Sequence, residues 1–201
     1  IKYEAVELKN GKIDMKTIAE RLKSNKSIKV VYAQRSRGYS SRRTLSVAEL
    51  NDFADEVHKI SDTGKSVYTV IDNCYGEFTE KEEPYKADLL IGSLIKNPGG
   101  GLADCGGYLA GSEEAVRLAS YRLTFPDAGL EVGASLNQNN NLYRGFFFAP
   151  HIVGEALKTA LFAAYMCSAL GFETSPAWNE KRSDIIQALT LSSPDRLCAF
   201  C

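Results

Sequence analysis

Apolar residues recur at helical spacing at the start of the chain, where Met15, Ile18, Ala19 and Leu22 share one face and Asp14 stands in position to cap the first turn. Residues 27–34 (SIKVVYAQ) are short, β-branched and aromatic, and run into the polar RSRGYSSRR. That pattern predicts a buried strand leading into a loop. A second helix follows, with Ser46 and Glu49 spaced as a capping box and Leu50, Phe53, Ala54 and Val57 on one face, ending before the turn-like SDTGK.

Residues 67–72 (VYTVID) and 87–93 (ADLLIGS) are apolar runs without clean alternation, as in parallel strands covered on both faces by helices. After the glycine-rich NPGGGLADCGG comes a brief strand at 108–110, antiparallel if it folds back, and a helix near Ser112 with Glu113 and Glu114 at its positive end. NQNNN at 137–141 reads as a polar turn, and Pro150 as the opening of a long helix that Gly171 terminates. Strands alternating with helices predict an α/β domain, a mostly parallel sheet between helices, over residues 1–171. Residues 172–201, with Pro176 and Pro194 around DIIQALTL, read as the beginning of a smaller second domain.

Composition narrows the classes. With 44% hydrophobic and 24% charged residues among 201, the chain has the makeup of a globular protein with one substantial core. A net charge of -1 argues against a nucleic-acid partner, although Arg35, Arg37, Arg42 and Arg43 form a local basic cluster. No apolar run reaches the roughly 18 to 20 residues that span a bilayer, and no leader is visible, so the expectation is a cytoplasmic protein without a membrane partner. Five cysteines, an odd and irregular set, suggest reduced thiols, and Cys198 with Cys201 read as chance spacing. The chain opens on Ile1 and closes within what reads as an element, so it is expected to be an excerpt.

In a doubly wound sheet, ligands bind beyond the carboxyl ends of the strands. Three such ends carry chemistry: QRSRGY, DNCY and SLIKNPGGG. Lys96 at the tail of an apolar run is costly to bury as an ammonium, and desolvation lowers its pKa toward the amine that forms Schiff bases; a solvated loop lysine is the plain alternative. Asp72 is either a functional carboxylate or a turn residue satisfied by backbone amides. No H-x-x-x-H, paired C-x-x-C or acidic loop supplies metal ligands, and no metal is expected.

DNCYGEF followed by SLIKNPGGG resembles fold-type I pyridoxal-phosphate enzymes. More narrowly, QRSRGY, DNCYGEF, GSLIKNPGGGLA, GGYLAG, YRLTFP, EVGAS and FFFAPHIVGEALK resemble the methionine gamma-lyase family, whose members are also labelled aluminium resistance proteins or cystathionine lyases. The chain departs from that pattern at Asp104, Cys105 and Asn137 to Asn141, and the family's phosphate-binding loop belongs upstream of the segment matched.

The resemblance implies pyridoxal 5'-phosphate as cofactor, carried by Lys96 as an internal aldimine, with Asp72 on the pyridine nitrogen. It implies that Tyr75 bonds the phenolic oxygen and Ser93 the phosphate, where plainer readings are a packed aromatic and a strand end. Ser36 would lie near the cofactor, and Gly99 and Gly100 would let backbone approach an anion or a neighbouring chain, if they are more than turns. Arg35 and Arg37 are candidates for a substrate carboxylate or for a solvated face. His58 and His151 read as structural. The implied reaction is carbon-sulfur elimination from a sulfur-containing amino acid, giving a 2-oxo acid, ammonia and a thiol, in a homodimer or homotetramer. An aminotransferase and a noncatalytic interaction module are the alternatives.

Overall fold

The computed structural model describes every residue except 1, 62–66, 124, 132 and 134, so the turn expected at 61–65 lies largely outside the described residues. Helix α1 spans Met15–Ser24, and Asp14 Oδ1 accepts the Thr17 amide at 3.1 Å. Strand β1 (Val30–Gln34) leads to α2 (Val47–Ser61), which opens on the expected capping box. There the Ser46 amide donates to Glu49 Oε2 at 2.9 Å and the Glu49 amide to Ser46 Oγ at 3.3 Å. Strands β2 (Tyr68–Asp72), β3 (Leu89–Ser93) and β4 (Gly107–Gly111) follow, then α3 (Glu113–Ser120), capped by Ser112.

The four strands lie in the order β1-β2-β3-β4. β1, β2 and β3 are parallel, pairing Gln34 with Asp72 and Asp72 with Ile91, and β4 returns antiparallel, pairing Ser93 with Gly107. The α/β class and the mostly parallel sheet are as the hydrophobic pattern predicts.

The expectation of strands buried on both faces is not met among the described residues. Helices α1 and α2 cover one face, where Ile18, Leu22, Phe53, Val57 and Val67 form one cluster and Leu45, Leu50, Ile71 and Ala87 another. On the opposite face Tyr68, Val70 and Asp72 are only half-buried, and the edge residues Val30 and Tyr32 are exposed. An apolar residue therefore marks a strand here without guaranteeing cover on its own side.

The second difference is the long helix. α4 spans Asn139–Ala169, so Asn139 to Asn141 form its first turn and Pro150 lies inside it. An internal proline costs about 3 kcal/mol in an isolated helix. Here a stripe of small residues, Gly145, Ala149, Val153, Ala160 and Ala164, is buried along one side, and that packing outweighs the local signal. Gly145 is the closest point: a Cβ there would stand 2.1 Å from the carbonyl oxygen of Gly99, in the 3-10 turn Asn97–Gly99. Gly171 ends the helix as expected, with φ of 86°. Its amide bonds to Ser168 O and that of Phe172 to Cys167 O, the two bonds of a Schellman cap.

By length and composition alone α4 could cross a bilayer, with an 18-residue window of mean hydropathy 1.2, only 17% of it buried. Glu155 and Lys158 pair at 2.7 Å in its middle, and its neighbours are the Asn97–Gly99 turn and strand β5 (Glu173–Ser175). β5 pairs antiparallel with β6 (Ala188–Thr190), and α5 (Pro194–Phe200) closes the described chain, carrying Cys198, with Cys201 just beyond, both as exposed free thiols. The segment from residue 172 thus has its own small sheet, yet Asp184 within it is buried against the loop after β1.

The two glycines of α4 should respond oppositely to the same change. Gly145→Ala should cost roughly 1–3 kcal/mol by overpacking. Gly154→Ala, where a Cβ meets nothing within 4 Å, should add up to about 1 kcal/mol through helix propensity. Thermal or urea unfolding of both variants checks the contrast.

Candidate functional site

The parallel arrangement brings the ends of β2 and β3 side by side, and with them the DNCY and SLIK segments. Lys96 is half-buried, and its Nζ stands 4.4 Å from the centroid of the Tyr75 ring. Tyr75 reaches that position through a left-handed backbone, φ of 68°, uncommon for a residue with a side chain. Burial pulls the Lys96 pKa down, but the fields of Cys74 and Tyr75 and hydrogen bonding to both outweigh it and hold the ammonium above its ordinary range. The expected lowering by desolvation is therefore reversed: the amine is held beside a phenol and a thiol rather than in an apolar sleeve.

Asp72 sits on the open face of the sheet. Its Oδ1 accepts the Cys74 amide at 3.0 Å, the turn bond of the plainer reading, while Oδ2 accepts the Tyr32 hydroxyl at 3.0 Å. Burial and the Asp72 carboxylate both push the Tyr32 hydroxyl well above the usual phenol range. Burial, reinforced by a hydrogen bond to Asp72, raises the Cys74 thiol. Lys96, Tyr75, Cys74 and Asp72 thus form one electrostatically connected group, with Ser93 at the end of β3 beside it.

Other expected residues are employed elsewhere. Arg35 is fully buried, and its guanidinium bonds Asn73 Oδ1 and Glu83 Oε2, each at 2.8 Å, with Thr79 and Glu80 beside them. Enclosed there, it is not presented to a substrate carboxylate. Arg37 is 5% exposed and donates to Ser40 O and to Ser175 Oγ, joining the loop to β5. Ser36 gives its hydroxyl to Asp184 at 2.7 Å, an oxygen that also receives the Arg37 amide at 3.2 Å and the Thr44 hydroxyl at 2.5 Å.

Gly99 and Gly100 are buried, and their amides bond to Lys96 O and Asn97 O, so these donors are used within the turn. The close approach they permit is to the backbone of α4 at Gly145. His58 pairs with Asp88 at 2.8 Å, and His151 is exposed on α4. Among the described residues no group of three or more His, Cys, Asp or Glu is placed to hold a metal.

The structure adds residues that sequence reading passed over. Glu77 is 3% exposed, and its Oε1 accepts the Tyr108 hydroxyl at 2.9 Å, while Oε2 is buried with no partner among the described residues. Burial is the main cause that raises its pKa to about 7; Glu83 adds to the rise, and the Tyr108 hydroxyl and Arg35 oppose it. Asn73 Nδ2 donates to Tyr108 at 3.2 Å and to Glu83 at 2.9 Å. Glu77 belongs to the same DNCYGEF block as Asp72, where a carboxyl among apolar neighbours was the available signal; Tyr108 and Asp184 carried none.

An amine, a carboxylate and a phenol on adjacent strand ends match the aldehyde, pyridine nitrogen and phenolic oxygen of pyridoxal phosphate as a donor set. The profile described as methionine gamma-lyase matches residues 1–201. The protein YnbB of Bacillus subtilis (strain 168) is 45% identical over 204 residues, covering 100% of this chain and 47% of its own. The crystal structure of a carbon-sulfur lyase involved in aluminum resistance from Clostridium novyi NT superposes with a TM-score of 0.91 at 42% identity, covering 99% of this chain and 47% of that one. Aspartate aminotransferase from Thermus thermophilus shares the fold alone, with a TM-score of 0.51 at 15% identity over 91% of this chain and 48% of its own. The chain spans about half the length of the curated relatives it matches.

The raised Glu77 pKa fixes a sign for stability. The folded state keeps a proton that the unfolded chain releases, so stability should fall as pH rises from about 4.5 to about 7 and level off above. The full decline is on the order of 3 kcal/mol. Glu77→Gln should remove it, as read from urea unfolding of both proteins across that range.

Proposed function

Because the chain belongs to the methionine gamma-lyase family, we propose that it supplies the lysine-bearing side of a pyridoxal-phosphate site in a carbon-sulfur lyase acting on a sulfur-containing amino acid. The observation that carries this reading is the placement of the Lys96 ammonium over Tyr75, in one connected group with Asp72, at the carboxyl ends of adjacent parallel strands. The Clostridium novyi relative, named as a carbon-sulfur lyase, supports the reaction class.

Lys96 would bond the cofactor, Asp72 would face its pyridine nitrogen and keep that nitrogen protonated, Tyr75 would face its phenolic oxygen, and Ser93 its phosphate. Bound pyridoxal phosphate supplies an electron sink for negative charge developing at the α-carbon of an amino acid. The chain's own residues supply the proton handling. As a free amine Lys96 takes the α-proton, and its neighbours Cys74 and Tyr75 stabilise the ammonium that results. Tyr32 shares Asp72 through a neutral hydroxyl and so steadies the carboxylate without cancelling its charge. Loss of a thiol from the side chain, followed by hydrolysis, would yield a 2-oxo acid and ammonia.

The exposed aromatic and aliphatic residues of α4, Phe147, Leu161 and Phe162 among them, favour an assembly in which that face is covered. A homodimer or homotetramer is the form this reading takes.

Adding pyridoxal phosphate to the purified protein should produce a visible absorption band that Lys96→Ala abolishes. A band that persists in the variant refutes the assignment. Asp72→Asn should retain the band yet lower 2-oxo acid production from a sulfur amino acid by roughly a hundredfold or more, since the sink depends on the protonated nitrogen.

A further inference from the structure

The turn at Lys96 and the loop that follows Asp72 are joined underneath by a largely buried path. Tyr108 on β4 lies flat across β3 because Gly92 has no side chain; a Cβ there would stand 2.3 Å from the ring. The hydroxyl thereby reaches past β3 to the junction where Asn73 Nδ2 and Glu77 Oε1 meet, at 3.2 and 2.9 Å. Glu77 continues the path through its carbonyl oxygen, which accepts Asn97 Nδ2 at 2.9 Å. Asn73 is the residue after Asp72, and Asn97 the residue after Lys96.

We propose that Glu77 and Tyr108 are positioning residues that hold the turn carrying Lys96 against the loop that follows Asp72, and so set the amine for the cofactor. The inference rests on the reading of Lys96 as the cofactor lysine.

Three features support it. A buried carboxylate oxygen with no partner among the described residues is a cost to folding, which stability alone gives no reason to keep. Tyr108 is held protonated by burial and by the Glu77 carboxylate, so its hydroxyl is a standing donor. The groups facing Glu77 are Tyr108 from β4, Arg35 from the end of β1 and Glu83 from the loop that follows Glu77. The bond from Tyr108 is charge-assisted only when Glu77 is ionised, and such bonds are about twice as strong as neutral ones. The anchor therefore tightens as pH rises through about 7.

Borohydride trapping of pyridoxal phosphate, quantified at Lys96 by peptide mass spectrometry on either side of pH 7, tests this. In the wild type, trapping should rise in a step centred near pH 7, superposed on the general rise from amine deprotonation. Glu77→Gln should remove the step and lower trapping above it by about tenfold. Tyr108→Phe should likewise remove the step, because the bond that strengthens when Glu77 ionises is gone. Thermal unfolding at the same pH values checks that each variant is folded, and Tyr108→Phe decides alone if Glu77→Gln is not. A purely structural pair would leave the step in place in Tyr108→Phe. Two folded variants that trap as the wild type does overturn the inference while leaving Lys96 in place. A wild type that takes up no cofactor at Lys96 overturns the parent reading, and this one with it.

Discussion

The loops around the candidate site depend on one buried guanidinium. Arg35 has no exposed surface, and a charge in that position is tolerable only if it is paired and hydrogen-bonded. Its partners, Asn73, Thr79, Glu80 and Glu83, all come from the stretch after β2, so satisfying Arg35 wraps that stretch around the end of β1. A Cβ at Gly76 would stand 2.4 Å from Arg35 Cδ, so the wrap needs a glycine there. It also holds Tyr75 and Phe78 at φ of 68° and 62°. Non-glycine residues persist in that region only where their surroundings over-determine them. The position of Tyr75 under Lys96 is thus a consequence of an ion cluster that touches neither.

Where the hydrophobic pattern and local capping agreed, the fold was legible. Asp14 and the Ser46–Glu49 box mark helix starts through bonds between near neighbours, and Gly171 marks an end for the same reason. The pattern misled where distant packing decided. Pro150 signals a helix start by local rules, but Gly145 and Ala149 before it and Val153 after it are buried against other parts of the fold, so the helix runs through. Unbroken apolar runs suggested strands covered twice, yet Val30 and Tyr32 sit at an edge that one sequence-local run cannot reveal.

The site divides along the same line. That Lys96, Asp72 and Tyr75 lie near one another was legible because each sits at or just past a strand end, and parallel pairing brings those ends together. Arg35, Ser36 and Gly99 were found as residues but assigned to ligands, whereas buried side chains and amides in this fold are satisfied first by the protein itself. Asp184 is separated by 148 residues from the Ser36 that it holds, and nothing in the chain's local pattern encodes such a pairing. Tyr108 depends on the missing side chain of Gly92 in a neighbouring strand, a complementarity that exists only once β3 and β4 are paired.

The contact between Gly145 and the turn at Gly99 gives the long helix a mechanical role. Backbone meets backbone there, with no flexible side chain between to absorb displacement. A body seated on the exposed side of α4 would bear on the turn that follows Lys96, and occupancy of the one place would then be coupled to the other. Thermodynamic reciprocity would make such a coupling run both ways: a ligand at the lysine turn and a body on α4 would change each other's affinity by the same factor.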